Sequence, residues 1–215
     1  MARLRALRRE EVPELEPVFE QVEQRMGFVP NSQLTMARRP EIVRALGALS
    51  RAVRSGTLDP QLVELVALVS STAAGCRYCQ AHTASNSVRS GSFAAKVADV
   101  WSYETSELFS EAERAALRVA HHAGLVPNEV TDEEFAQLAA HFDDGQVVEI
   151  VATISLYGFL NRWNDTLATE LEDHPMELAG ELLADVGWEA GKHAADAQPA
   201  GAHPQSAAGS GAVDA

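Results

Sequence analysis

Apolar residues along this chain recur at three- and four-residue intervals, and no run alternates apolar and polar residues over the length of a strand. The pattern reads as an all-α protein of seven to nine helices. An amphipathic helix is expected over 14–26, a break at 28–32, and a short helix over 33–38. The short helix stops before Pro40, because the residue ahead of a proline avoids helical geometry. Ile42, Val43, Leu46, Leu49 and Val53 then repeat at helical spacing up to Gly56. Asp59-Pro60 offers an N-cap followed by proline at the first helical position. It opens a helix over 60–74 that is apolar on nearly every side and so belongs deep in the core. Gly75 is its stop, and another helix follows over 77–89, ended by Gly91.

A short helix over 93–101 comes next. Ser110-x-x-Glu113 and Thr131-x-x-Glu134 are capping boxes, opening helices that reach about 123 and 142. Asp143 or Asp144 caps a long helix through Leu160, and Pro175 starts a last one ending near Gly187. From Ala190 onward the chain is Ala, Gly, Pro, Ser and His without apolar periodicity. The expected organisation is one helical domain over 1–189 and a disordered tail over 190–215.

An internal likeness sharpens this layout. Residues 59–70 read DPQLVELVALVS and residues 144–155 read DGQVVEIVATIS, identical at seven of twelve positions. Two related helical units are expected, over about 59–74 and 144–160. The likeness aligns Glu149 with Glu64, and Asn161, Trp163 and Asn164 with Cys76, Tyr78 and Cys79. The second unit therefore keeps a glutamate and lacks thiols.

The stretch 64–82 gathers the candidate chemistry. It holds the only two cysteines, Cys76 and Cys79, with His82 three residues beyond and Glu64 twelve residues before Cys76. A cysteine in a helix's first turn meets unpaired N–H groups and the positive end of the macrodipole, which favour thiolate. At i and i+3 the two sulfurs share a face and can close a disulfide. His82 continues that face and can pass protons. Glu64 lies inside the apolar helix, where a carboxylate needs a partner. A helix hairpin brings it within water or side-chain reach of His82, as one proton relay. A closed zinc site takes four ligands, and Cys76, Cys79, His82 and Glu64 would be an unusual set.

Composition narrows the partners. The chain has 215 residues and a formal charge of -14, from 17 Lys and Arg against 31 Asp and Glu, which disfavours nucleic acid and anionic membranes. No segment approaches the ~20 apolar residues of a membrane helix. The basic N-terminus leads into no signal-like apolar run. A cytoplasmic protein is expected.

The whole arrangement, a buried helix with Glu64 followed by Gly75-Cys76-x-Tyr78-Cys79-x-x-His82, resembles the alkylhydroperoxidase D-like, or carboxymuconolactone decarboxylase, superfamily. The likeness covers roughly residues 10–188, and the segments 27–31 (GFVPN) and 159–165 (FLNRWND) look like its peroxidase-related branch. It implies an all-helical subunit assembling into trimers, hexamers or other homo-oligomers, and thiol-dependent peroxide reduction without a cofactor. On that pattern Cys79 attacks the hydroperoxide and Cys76 resolves the product as a disulfide. Glu64 and His82 relay protons, and an external dithiol, a small molecule or a lipoyl- or thioredoxin-type protein, restores the thiols. The family's best-known peroxidase has histidine where Tyr78 stands and carries its relay histidine at the place of Thr83. Two other readings stay open at this point. One is acid–base chemistry by Glu64 and His82 on a small organic acid or lactone. The other is a non-enzymatic redox sensor or metal site.

Overall fold

The computed structural model describes residues 2–89 and 94–195. Ten α-helices account for most of them: α1 (Glu16–Met26), α2 (Asn31–Met36), α3 (Pro40–Arg54), α4 (Pro60–Ala73), α5 (Arg77–Arg89), α6 (Ala94–Ala98), α7 (Glu111–Gly124), α8 (Asp132–Ala139), α9 (Asp144–Leu167) and α10 (Asp173–Leu182). No strand occurs among the described residues, so the protein is all-α, with one helix more than the upper expectation. The segment expected as one helix over 93–101 is split into α6 and a 3-10 turn, Val100–Ser102. Gly91, its expected boundary, lies outside the described residues.

Helix α4 is the axis of the fold. Every residue from Leu62 to Ser71 is buried, and the helix packs against α5, α7 and α9. Asp59 accepts the Gln61 N–H at its start, as the cap pattern requires. Side chains of α4, α5, α7 and α9 build the main core. A smaller one, around Leu15, Phe19, Met36 and Val43, holds α1, α2 and α3 together. Leu160 of α9 packs against both, joining them.

Gly75, with φ +73°, ends α4. The Gly75 N–H bonds to the Thr72 carbonyl and the Cys76 N–H to the Ser71 carbonyl, the paired bonds of a Schellman turn. The chain reverses there into α5. The second member of the sequence likeness does not repeat this hairpin. Leu160 stands where Gly75 would be, and α9 runs unbroken through 24 residues. Glu149 does not mirror Glu64 either, since its carboxylate accepts the N–H groups of Thr57 and Leu58 at 2.9 Å each. The likeness marks two apolar helices that pack together, without a second copy of the site.

The expected tail starts too early. Gly191–His193 form a 3-10 turn with His193 fully buried, and the His193 carbonyl accepts the Leu171 N–H at 2.8 Å. A run without periodicity is held here by a buried ring and a few polar contacts. No helix of the described residues is long and apolar enough to cross a membrane.

Helices α4 and α7 meet closely at Gly124, where an added Cβ would lie 2.7 Å from the Ser70 carbonyl oxygen. That neighbour is backbone and cannot swing aside. Gly124→Ala is expected to force α7 off α4 and cost about 1–3 kcal/mol, read as a lower urea midpoint with an unchanged slope.

Candidate active site

The Gly75 turn places Cys76 immediately before α5, at its N-cap, and Cys79 in its first turn. Both cysteines are free and buried. Their surroundings differ. The Cys79 N–H donates to Cys76 Sγ at 3.5 Å, so the sulfur that receives a helix-start amide is that of Cys76. Cys79 Sγ instead accepts from Asn164 Nδ2 of α9 at 3.5 Å. Burial and the neighbouring Cys76 push the Cys79 thiol well above its ordinary value, and the Asn164 bond offsets only part of that. Desolvation thus opposes the thiolate that a helix start favours at Cys79.

A cavity of about 470 Å³ lies between α1, α3, α5 and α9. Cys79, His82, Tyr78 and Asn164 line it beside apolar groups such as Val22 and Leu156. Cys76 is not among its lining residues. One thiol thus faces the cavity and the other lies behind it.

The expected pairing of Glu64 with His82 is not what the structure contains. Glu64, 2% exposed, forms its ion pair with Arg54 at the end of α3, and Arg54 also donates to the Tyr157 hydroxyl at 3.2 Å. Glu64 Oε2 has no hydrogen-bond partner. Burial and the Glu64 charge raise the Tyr157 phenol to about 12, so it stays protonated. His82 pairs with Glu172, Nε2 to Oε2 at 2.7 Å.

Glu172 was missed from sequence. It occupies the N-cap of α10, where a short side chain is favoured, but makes no cap bond. Its carboxylate turns instead toward the site, accepting from the Tyr78 hydroxyl at 2.9 Å and from the Asn31 N–H. Burial opposes its charge, but His82 and the Asn31 amide outweigh burial and hold the carboxyl below its usual range. A glutamate at a capping position was the available signal.

Tyr78 acts as a brace. Its ring stacks on His82 at 4.4 Å between centroids, and its hydroxyl joins Glu172 to the Ser32 amide. Burial and the Glu172 charge keep that phenol protonated. The segments 27–31 and 159–165 frame the site on two sides. Phe28 lies 5.8 Å from the His82 ring, and Asn31 Nδ2 donates to the Glu170 carbonyl at 3.0 Å. Trp163 ties α9 to Thr35 at 3.0 Å, next to the Asn164 that reaches Cys79.

Behind the thiols, Cys76 Sγ, an Asp165 carboxylate oxygen and a His193 ring nitrogen all lie within 4.8 Å of one another. No fourth Cys, His, Asp or Glu joins them at that spacing among the described residues, so the set is short of a closed zinc site.

Comparison with known proteins places the fold. Residues 40–122 match the model of the carboxymuconolactone decarboxylase family. The crystal structure of the debrominase Bmp8 is 36% identical, covering 83% of this chain and 97% of that one, with a TM-score of 0.79. The chain belongs to the carboxymuconolactone decarboxylase family. An alkylhydroperoxidase AhpD-core, peroxidase-related protein from Ralstonia eutropha JMP134 shares the family fold at 24% identity, with a TM-score of 0.72 over 81% of this chain and 94% of that one. The uncharacterized protein YnjA of Escherichia coli K12 is 32% identical over 110 residues, 51% of this chain and 60% of that protein. The stretch matched by the family model contains Glu64, Cys76, Cys79 and His82, whereas Asn164, Glu172 and His193 lie beyond it.

Two outcomes follow from these contacts. Arg54→Met strands the buried Glu64 charge and is expected to cost about 3–5 kcal/mol, much of it recovered when Glu64→Leu is added, measured by urea unfolding of both variants. Glu172→Gln should lower the urea midpoint at pH 7. Because the Glu172 pKa is held down, its contribution is complete above the ordinary carboxylate value of about 4.3 and is lost as pH falls through the lower folded value. The two midpoints should therefore converge only in acid below that range.

Proposed function

We propose that the protein is a dithiol oxidoreductase that reduces hydroperoxides, with Cys79 attacking and Cys76 resolving. The observation that carries this reading is the division of the thiols, with Cys79 on the wall of a substrate-sized cavity and Cys76 directly behind it. Cys79 sulfur attacks the outer peroxide oxygen, the O–O bond breaks, and the leaving alkoxide takes a proton to depart as alcohol. Cys79 is left as a sulfenic acid. Cys76 sulfur then displaces hydroxide, forming the disulfide, and an external dithiol returns both thiols. The proton pair in this scheme is His82 with Glu172, in place of His82 with Glu64. Glu64 holds Arg54 at the cavity wall. Assembly into a homo-oligomer would draw on the exposed apolar face of α9, with Val148, Val151 and Phe159.

The likeness to a debrominase, also solved with 2,3,4-tribromopyrrole bound, favours a second reading of the same thiols. There Cys79 sulfur takes a bromine from a brominated aromatic ring, whose carbon gains a proton, and Cys76 displaces bromide to give the same disulfide. The mostly apolar cavity suits either substrate.

Turnover of cumene hydroperoxide and of 2,3,4-tribromopyrrole with excess dithiol separates the two readings. Cys79→Ser should abolish either activity. Without dithiol, Cys76→Ser should react once with peroxide and retain a trappable sulfenic acid. Turnover of either substrate that survives Cys79→Ser unchanged refutes the assignment. Because the Cys79 thiol is raised, the first step should quicken about tenfold per pH unit through the neutral to mildly alkaline range, followed by stopped-flow fluorescence.

A further inference from the structure

We propose that His193 is the proton acceptor for Cys76, so that the segment 188–195 completes the site by serving the second thiol. The inference rests on the two-thiol scheme above and concerns its resolving step.

His193 is fully buried. Its Nδ1 lies 2.7 Å from the Thr169 carbonyl oxygen, which can only accept, so Nδ1 carries the ring proton. In the neutral ring Nε2 is then left with its lone pair. It has no hydrogen-bond partner, although Asp165 Oδ1 is 3.5 Å away, because a carboxylate has no proton to give. A buried acceptor without a donor is unfavourable, and the Cys76 thiol, its sulfur within 4.8 Å of a His193 ring nitrogen, is the group of that cluster with a proton to give. On its other side Cys76 Sγ faces the Cys79 N–H. The thiol proton can leave toward the imidazole while the growing charge on sulfur meets a helix-start amide.

The remaining groups fit that task. The Leu171–His193 backbone bond fixes the ring's height, and Lys192 holds Asp165 at 2.7 Å. Asp165 from α9 faces the ring and stabilises the imidazolium once formed. The charged and titratable groups around His193 are Asp165, Lys192, Cys76 and, at 5.8 Å between rings, Tyr78. Burial lowers the His193 pKa against the pull of the Thr169 carbonyl and Asp165, which keeps the ring neutral and ready to accept near pH 7.

In the resolving step the S–S bond forms between Cys76 and Cys79 and the S–O bond of the sulfenic acid breaks. The Cys76 proton passes to His193 Nε2. The departing hydroxide is protonated from the cavity side, and His193 later returns its proton to solvent, leaving disulfide and water. The peroxide is the oxidant throughout.

The test follows both thiol steps in wild type and His193→Gln. With hydroperoxide, Cys79 sulfenic acid should form within about twofold of the wild-type rate, whereas disulfide closure should slow by about 10²-fold and let dimedone trap the intermediate. Closure in the variant should climb about tenfold per pH unit, whereas wild-type closure stays nearly flat around neutrality. With 5,5′-dithiobis(2-nitrobenzoic acid), thionitrobenzoate should leave in two phases, the first from Cys79 attack and the second from Cys76 closing on the mixed disulfide. Only the second should slow in His193→Gln. If wild type ignores peroxide yet keeps this His193-dependent second phase, the peroxidase reading fails and the His193 assignment stands. Wild-type rates and pH profile in the variant overturn it. So does stoichiometric zinc on the purified protein that His193→Gln releases. If the variant does not fold, the histidine ¹⁵N spectrum of wild type decides, since a proton on Nε2 of His193 at pH 7 also overturns the proposal.

Discussion

The left-handed turn at Gly75 is the constraint on which the site depends. It satisfies the last carbonyls of α4 and in the same two residues starts α5, so Cys76 closes one helix and caps the next. Cys79, Tyr78 and His82 then take their directions from a helix whose first turn is already fixed. The long apolar helix α4 gives the turn something immovable to be anchored to. Without that glycine the same kind of sequence continues straight, as α9 does through Leu160.

Much of this was legible from residue order. Proline, glycine and capping boxes marked most helix ends within a few positions, because those signals act on local backbone geometry. The cysteines and His82 were found by spacing along one helix. Pairings between helices were less accessible. Helix rise places Glu64 and His82 at compatible heights, but it says nothing about rotation, and rotation sends Glu64 to Arg54 and His82 to Glu172. Glu172 is 90 residues from His82 and carries no motif of its own. His193 was hidden for a different reason. Periodicity measures how many residues an element buries, whereas segment 188–195 is held mainly by two buried rings, Trp188 and His193.

Two cysteines three residues apart end in unlike electrostatic settings. Cys79 is penalised by burial beside another sulfur and looks onto the cavity, with one amide donor from α9. Cys76 receives the Cys79 amide and shares its pocket with Asp165 and His193. Tyr78 belongs to the same division. A phenol held protonated cannot shuttle protons at neutral pH, but it can keep Glu172 aimed at His82. In the proposed chemistry, proton transfer would fall to groups on either side of the thiol pair.

That division gives the dithiol a front and a back. The front is the cavity of about 470 Å³, which admits only molecules of limited bulk to Cys79. At the back Cys76 is fully buried, in a pocket shared with Asp165 and His193. For the disulfide proposed above, a reductant would reach Cys79 through the front by being slender, as a small dithiol or a flexible thiol-bearing arm is. A bulky globular reductant would be kept from both buried sulfurs.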